Sequence, residues 1–327
     1  MIWSERIERI GFAMRGLPGR LSGALGKRSG PRARRAGLRL VFFIPALFLI
    51  VLFVGYPVFA TIGVSFFDSH GNFVGFGNYG EVLGSPETVN LNGFPKSPPF
   101  GTLVNNALWI SIHLPLSMFL GLWLALVLRD VRGASWVKAA IFIGMVTPLI
   151  IGGITMLYIF DGSIGIVPRF FDTIGIHSLG VGWLQRPATL LFGLIFGSVW
   201  LWTGFSLIVY SAGLTTIPKE YWEAAKIDGA STFRTFTQVT FPLLKPMTIV
   251  VFTMSILWGL KIFDLVYGAT NEYGGVGNAA DVLGLQMFRE AFVRLPASYG
   301  TAAAVATFLS LLTLVTTAMT IRYMVKR

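Results

Sequence analysis

The stretch TIPKEYWEAAKIDGASTFRTFTQVTFPLLKP, Thr216–Pro246, decides the fold of this chain. It is a polar segment of about thirty residues between two apolar segments, each long enough to cross a bilayer, which takes about 20 residues. Such a segment lies at the membrane surface. We therefore expect a partner outside the bilayer to bind it.

The first half of the polar segment predicts a short, capped helix. Pro218 suits a first helical turn, and Gly229 can adopt the left-handed conformation that ends a helix. Glu220 and Glu223 lie toward the positive end of the helix dipole and Lys226 toward its negative end. We expect a compact helix between Pro218 and Gly229.

The second half predicts another helix. Ser231 or Thr232 can cap it, and Phe233, Phe236 and Val239 then recur at every third position. A face with that spacing is apolar. We expect it to pack on the membrane bundle.

The first helix has a shape suited to docking. Ala224 and Ala225 leave it thin on one side, so its backbone can enter a groove of another protein. Glu223 and Asp228 would then fix the register by charge. We expect that thin side to face outward.

These residues resemble the EAA loop of ABC importer permeases. The match covers Glu-Ala-Ala at 223–225, Asp228-Gly229 and the thirteen-residue spacing from that glycine to Pro242. The alternative is an ordinary amphipathic loop that contains Glu-Ala-Ala by chance, and the longer agreement through Pro-Leu-Leu-Lys-Pro argues against it. The resemblance implies that loop 216–246 holds a cytoplasmic coupling helix seated in a cleft of an ATP-hydrolysing subunit. It implies these ATPase-coupling residues: Glu220, Glu223, Ala224, Ala225, Asp228 and Gly229.

The composition is that of a membrane protein. Of 327 residues, 54% are hydrophobic and 13% charged, and the mean hydropathy is +0.69. Soluble domains carry about 25% charged residues. The chain has no cysteine and only three scattered histidines, His70, His113 and His177. This excludes a disulfide framework and a thiolate metal site, and it predicts no metal cluster.

The net charge of +11 is concentrated at the N-terminus, where ten Lys and Arg precede the first apolar segment. In a soluble protein this charge would suggest nucleic acid. Beside an apolar span it instead sets membrane orientation and contacts anionic lipid. We therefore expect membrane lipid, and no nucleic acid, as a partner.

Residues 1–38 are predicted to be a basic cytoplasmic segment rather than a cleaved signal. The apolar run that follows is about 26 residues long, whereas a signal has a short apolar core. Ile2, Trp3, Ile7 and Ile10 share one helical face, which allows a helix along the inner membrane surface. A disordered basic tail is the alternative.

The rest of the chain, 39–327, is predicted to be an all-α transmembrane domain with six spans. The spans are residues 40–66, 103–128, 137–160, 188–212, 247–268 and 300–321. With the basic N-terminus inside, twenty Lys and Arg lie on the cytoplasmic side and five outside. Both termini are then cytoplasmic.

The resemblance extends over nearly all of residues 39–327. RLVFFIPALFLIVLFVGYPVFATIGVSFFD at 39–68, FVGFGNY at 73–79 and WGLKIFDLVY at 258–267 are similar to carbohydrate-uptake permeases of the maltose and glycerol-3-phosphate type. Two outer loops depart from that pattern. Val276 follows Gly274-Gly275 where the family usually has proline, and residues 91–100 form an insert, so specificity could differ there.

The resemblance implies the type I ABC importer permease fold and a role as permease subunit of an ATP-driven importer. A sugar or related polyol would be delivered by an extracytoplasmic solute-binding protein. The other partners would be a second, homologous permease and two ATP-binding cassette subunits, in a prokaryotic cell (inner) membrane. ATP and Mg would bind the partner ATPase, with no cofactor in this chain.

The sequence contains no catalytic constellation, so we expect no enzyme activity. A membrane enzyme would need several polar groups gathered at one interface, and the sequence lacks them. An ion-coupled secondary carrier, a less favoured alternative, would show internal repeats and matching intramembrane acids. No repeat is evident in the sequence, and only Asp264 is clearly intramembrane. An ABC permease for a non-sugar solute remains an alternative, against which the 258–267 block argues by resemblance.

The fifth span carries the predicted substrate path. Lys261 and Asp264 stand at i and i+3, so each can neutralise the other in a medium where a lone charge is costly. On a continuous helix Gly268 falls between them, and Trp258 and Thr253 border them. Such a polar and aromatic stripe suits a polyol. The alternative is a buried ion pair that holds span five against its partner subunit.

Three further features have two interpretations each. Asn105 and Asn106 are predicted to cap a helix at the interface, with substrate contact as the alternative. Pro148 marks a kink or a cavity in the third span. Trp200 and Trp202 are predicted to pack and anchor rather than bind sugar.

Overall fold

A computed structural model describes residues 43–325, and the statements below concern those residues. They form two compact units, one ending at Ala60 and the other beginning at Thr61. The described chain is helical, and its one β-pairing is an isolated bridge between Phe67 and Phe73. The predicted all-α class is confirmed. The basic segment 1–38 lies outside the described residues.

Thirteen helices make up the described chain. In chain order they are α1 (Phe43–Val64), α2 (Gly77–Gly84), α3 (Thr102–Val127), α4 (Ala134–Val146), α5 (Leu149–Ile159), α6 (Ile166–Thr173), α7 (Pro187–Thr215), α8 (Lys219–Ile227), α9 (Thr232–Leu243), α10 (Lys245–Leu260), α11 (Asp264–Thr270), α12 (Leu283–Phe288) and α13 (Tyr299–Val325). Short 3₁₀ and π turns join or extend several of them.

Four helices, α1, α3, α7 and α13, are long and apolar enough to cross a membrane. The pair α4 and α5 is bent by 102°, and the pair α9 and α10 by 68°. By length and composition, the described residues therefore contain four candidate spans, or up to six if each bent pair counts as one.

The bend in the third span follows from Pro148. Thr147 before it is extended, with φ −64° and ψ 127°, because a residue that precedes proline is disfavoured in the α conformation. Pro148 then becomes the N-cap of α5. Of the two interpretations of Pro148, a kink or a cavity, the kink is present as the 102° bend between α4 and α5.

The fifth span is interrupted, so the predicted continuous helix over 247–268 is wrong. α10 ends at Leu260, Phe263 has φ −145° and ψ −63°, and a new helix begins at Asp264. Lys261 and Asp264 are therefore not neighbours on one helical face.

Asn106 on α3 stabilises the interruption. Its side-chain N–H donates to the Gly259 carbonyl at 2.9 Å, and its oxygen accepts from the Leu283 backbone N–H at 2.9 Å. A buried carbonyl at a helix end needs such a donor, since an unmet one is costly. Asn105 donates to the carbonyl of Asp281 at 2.7 Å. Both asparagines are buried and structural, and they cap a distant segment rather than their own helix.

Glycines set the closest helix crossings. On Gly153 of α5 an added Cβ would collide with the Leu265 carbonyl oxygen, and on Gly268 of α11 with that of Ile150. The two backbones are therefore in contact. The same holds where Gly121 of α3 faces α7. These crossings assemble the bundle that surrounds the interrupted fifth span.

Candidate functional site

The polar segment forms the capped helix that its residues predict. α8 runs over Lys219–Ile227 directly after Pro218, with Glu220 in its first turn and Lys226 in its last. Gly229 has φ +65°, and the Ala230 N–H donates to the Ala225 carbonyl at 2.9 Å. This is a left-handed glycine termination.

One face of α8 is fixed within this chain. The Trp222 indole N–H donates to Thr240 Oγ1 at 3.2 Å, and the Arg129 guanidinium lies 3.6 Å from the centre of the Trp222 ring. Ala225 is buried beside it. The expectation that Ala224 and Ala225 share the outward side is therefore wrong for Ala225, because that side packs onto the rest of the chain.

The opposite face of α8 is exposed. Glu220, Glu223, Ala224 and Asp228 are exposed there, and Ile227 is 87% exposed. Ile227 thus places one apolar side chain among carboxylates on the exposed face. Five of the six predicted coupling residues are thus accessible to a partner, since Gly229 is exposed as well.

The second helix of the loop differs from its prediction. Ser231 caps it, because its hydroxyl accepts from the Arg234 N–H at 3.3 Å. Phe233, however, is 75% exposed, while Phe236 and Val239 are half-buried. The helix widens to a π-turn at Phe236–Thr240, which disrupts the three-residue spacing on which the packing prediction rested. Phe233 therefore adds an apolar side chain to the exposed surface.

Trp258 lies beside the break in the fifth span. Its ring stacks on Trp202 at a centroid distance of 5.0 Å and lies 4.8 Å from the His113 ring. The Trp202 indole donates to Ser255 Oγ at 2.8 Å, so Trp202 packs as predicted. Trp258 is only half-buried, and its remaining surface is free to contact a ligand.

The other three residues of the predicted stripe do not form a stripe. Lys261 and Asp264 are both exposed, and no ion pair within 4.0 Å joins them among the residues described. Gly268 packs on the Ile150 backbone and has no room for a ligand beside its Cα. The helix break is the reason, since it separates the residues that a continuous helix would align. Trp258, Lys261 and Asp264 instead surround the break.

An ion network flanks α12, and the sequence patterns described above do not predict it. Arg289, 3% exposed, places Nη2 2.6 Å from Asp281 Oδ2 and 3.3 Å from Glu87 Oε2. Arg294 places Nη2 2.6 Å from Glu87 Oε1 and Nη1 2.9 Å from Glu290 Oε1. The network joins the loop before α3 to residues on both sides of α12.

Burial perturbs the acids of this network. Loss of solvent raises the pKa of Asp281 to about 6, although the Arg289 guanidinium acts in the opposite direction. Burial also raises the pKa of Glu290. Only the i, i+4 spacing of Glu290 and Arg294 could have indicated the network from sequence.

Comparison with known proteins agrees with the helical, membrane-spanning character of the chain. Residues 117–327 match the family described as binding-protein-dependent transport system inner membrane component. The chain belongs to this family. A Pyrococcus horikoshii protein described as a probable ABC transporter permease is 52% identical over 277 residues, which are 84% of this chain and 94% of that protein. The predicted resemblance to ABC permeases is confirmed.

More distant relatives are also transport proteins. The trehalose/maltose transport system permease protein MalF of Thermococcus litoralis is 31% identical over 261 residues, 78% of this chain and 83% of that one. A bacterial ABC transporter involved in the import of alginate has the same fold, with a TM-score of 0.71, 20% identity and coverage of 88% and 96%. The permease is thus a multi-pass membrane transport component and not an enzyme.

Proposed function

We propose that this permease is the membrane-spanning subunit of an ATP-driven importer for a sugar or related polyol. The interrupted fifth span is the observation that carries the proposal. Non-helical backbone at membrane depth is tolerated only where protein buries it or water surrounds it. Lys261 and Asp264 are exposed at this interruption, so it suits a water-filled path.

The chemistry around the break suits a polyol. Hydroxyl groups bind charged side chains such as Lys261 and Asp264, and the apolar face of a sugar packs on an aromatic ring such as Trp258. The names of relatives support the class, since they include trehalose/maltose and lactose transport permeases. A non-sugar solute is the second candidate, because one relative is named an osmoprotective compounds uptake permease.

The partners follow from the same proposal. The exposed face of α8 would be a coupling helix seated in an ATP-binding cassette subunit, of which the importer has two, and these would bind ATP and Mg. A second, homologous permease would complete the path. A solute-binding protein would deliver the sugar from outside, and the alginate transporter has been crystallised with such a periplasmic protein.

The path can be tested with Lys261→Met and Asp264→Asn. Each should raise the KM for the transported sugar about tenfold, because one hydrogen bond to a charged group is lost, while substrate-free ATP hydrolysis and assembly stay unchanged. The assay is uptake of radiolabelled sugar into proteoliposomes that contain the whole importer. The sugar is first identified on the copurified binding protein.

Glu81→Gln provides the matched control, since this exposed carboxylate lies on α2 and not among the residues at the break. Unchanged KM for every sugar in both path variants would mean that the second permease holds the substrate. In that case the proposed path through this chain is wrong.

The topology within the proposal has six spans with both termini cytoplasmic. The chain has no native cysteine, so a single introduced thiol reports its own side of the membrane. Ser69→Cys should react with an impermeant maleimide in intact cells, and Thr232→Cys should react only in inside-out vesicles. Both side chains are exposed. Labelling of Thr232→Cys in intact cells would contradict the orientation.

A further inference from the structure

A small cavity opens where α3 and α7 end and where α4 and α8 begin. It has a volume of about 330 Å³. Three basic side chains line it, each from a different segment: Arg129 after α3, Lys138 on α4 and Lys219 at the start of α8. On the proposed topology, on which this inference rests, the cavity is at the cytoplasmic face.

The wall of the cavity carries an excess of positive charge. Its one acid, Asp130, has a side chain that is 89% exposed, and its Oδ1 lies 3.7 Å from Arg129 Nε. Such an exposed pair compensates the charge weakly. Lys138 and Lys219 form no ion pair within the described part of the chain. Membrane orientation explains why basic residues are on this face, but not why three of them converge on one cavity.

A hydroxyl group in the wall lacks a partner. Ser211 lines the cavity, and its Oγ is buried without a hydrogen bond among the described residues. An unmade hydrogen bond at a buried donor is unfavourable, so a ligand oxygen here would satisfy it. The neighbouring Thr215 hydroxyl already donates to the Ala212 carbonyl. Ser211 is therefore a hydroxyl in the wall that no described residue satisfies.

The remaining wall is apolar and rigid. Leu214 and Ile217, both buried in the core, line the cavity, and the ring of Trp222 holds the Arg129 guanidinium in place. A cationic recess beside apolar side chains matches a phospholipid at the level where its phosphate meets its glycerol and acyl chains. Basic pockets between helices on the cytoplasmic side bind anionic headgroups in this way.

We propose that this cavity binds the phosphate of an anionic phospholipid of the inner leaflet. Arg129 and Lys138 would hold the phosphate oxygens from the membrane side and Lys219 from α8. Because Lys219 opens α8 and Arg129 contacts Trp222, the bound lipid would join α8 to the ends of α3 and α4. Anionic lipid would then stabilise the position of the helix that the proposed ATPase partner contacts.

The test measures binding of phosphatidylglycerol to the purified importer in phosphatidylcholine nanodiscs, by native mass spectrometry of retained lipid. Lys138→Gln/Lys219→Gln should weaken binding about thirtyfold, since each lysine near an anionic surface contributes about fivefold. Lys226→Gln is the matched control, because this lysine lies on α8 but outside the cavity. It should leave the affinity unchanged.

Ser211→Ala keeps the result interpretable if the double variant assembles poorly. Removing a buried hydroxyl that lacks a partner should leave the lipid-free importer at least as heat-stable as wild type, while phosphatidylglycerol binds several-fold more weakly. Equal lipid binding by wild type and the double variant would overturn the site. If inorganic phosphate raised the heat stability of the importer and phosphatidylglycerol did not, the lipid assignment would be overturned.

These outcomes are separable from those of the transport proposal. Lipid binding is measured without substrate, so a permease that retains phosphatidylglycerol but transports no sugar would contradict the proposed function alone. A permease that transports sugar but shows no lysine-dependent lipid binding would contradict the lipid site alone.

Discussion

Replacing Gly229 with valine should abolish sugar transport while the permease still inserts in the membrane. Gly229 has φ +65°, and an added Cβ would meet nothing within 4 Å, so the penalty is backbone strain alone. For a β-branched residue that strain costs about 1–3 kcal/mol. It would be relieved by unwinding the end of α8, and the surface proposed to contact the ATPase would be lost.

Gly229→Asn is the matched control, since asparagine tolerates the left-handed conformation best after glycine. It should retain most of the transport. Glu223→Lys tests the same surface by charge, because it reverses an exposed carboxylate without strain. Transport, copurification of the ATPase and substrate-stimulated ATP hydrolysis are the measurements. Normal values of all three in Gly229→Val and Glu223→Lys would refute the coupling role of α8.

Replacing Arg289 with methionine should destabilise the permease by about 3–5 kcal/mol, the usual cost of leaving one charge of a buried pair alone. Asp281, whose side chain is 5% exposed, would lose its 2.6 Å partner. Arg186→Gln is the control, because this exposed arginine joins no ion pair among the described residues, and such surface substitutions change stability by at most about 0.5 kcal/mol. Thermal unfolding of the detergent-solubilised permease distinguishes the two.

The destabilisation caused by Arg289→Met should depend on pH, and the direction follows from the pKa of Asp281. The pKa of Asp281 is raised from 3.8 to about 6 in the folded protein. The contribution of the Asp281 carboxyl to stability is therefore fully present below about pH 3.8, and it is lost as the pH rises through about 6. Without Arg289 that pKa rises further, so the loss in Arg289→Met should be smaller at pH 5 than at pH 7. A loss independent of pH would show that Asp281 is not the group left unpaired.

The capped helix of the polar loop could be predicted because local residues determine it. Pro218 fixes its own φ, Gly229 can adopt the left-handed conformation that ends the helix, and no distant contact overrides them. The break in the fifth span could not be predicted in that way. It depends on Asn106, which reaches the Gly259 carbonyl from another span. A helical wheel drawn for Lys261 and Asp264 assumes the continuity that this contact removes.

The ion network around Arg289 could not be predicted for a similar reason. Glu87 is about 200 positions from the arginines that it contacts, and nothing near it in sequence distinguishes it from an ordinary surface acid. The Lys and Arg residues predicted to lie on the cytoplasmic side were easier to interpret, because their number alone indicates a side of the membrane. Which of them converge on one cavity depends on packing.

The contact between α5 and α11 restricts how the permease can move. Where Gly153 and Gly268 meet, backbone lies on backbone, so no side chain is available to change rotamer or to slide. The two helices therefore shift together, as one rigid body. If a path opens beside α11, the backbone must therefore bend at other positions. The bends at Pro148 and between α9 and α10 are candidate hinges for this movement. A larger residue at either glycine would separate α5 from α11 and so disturb the movement of both helices.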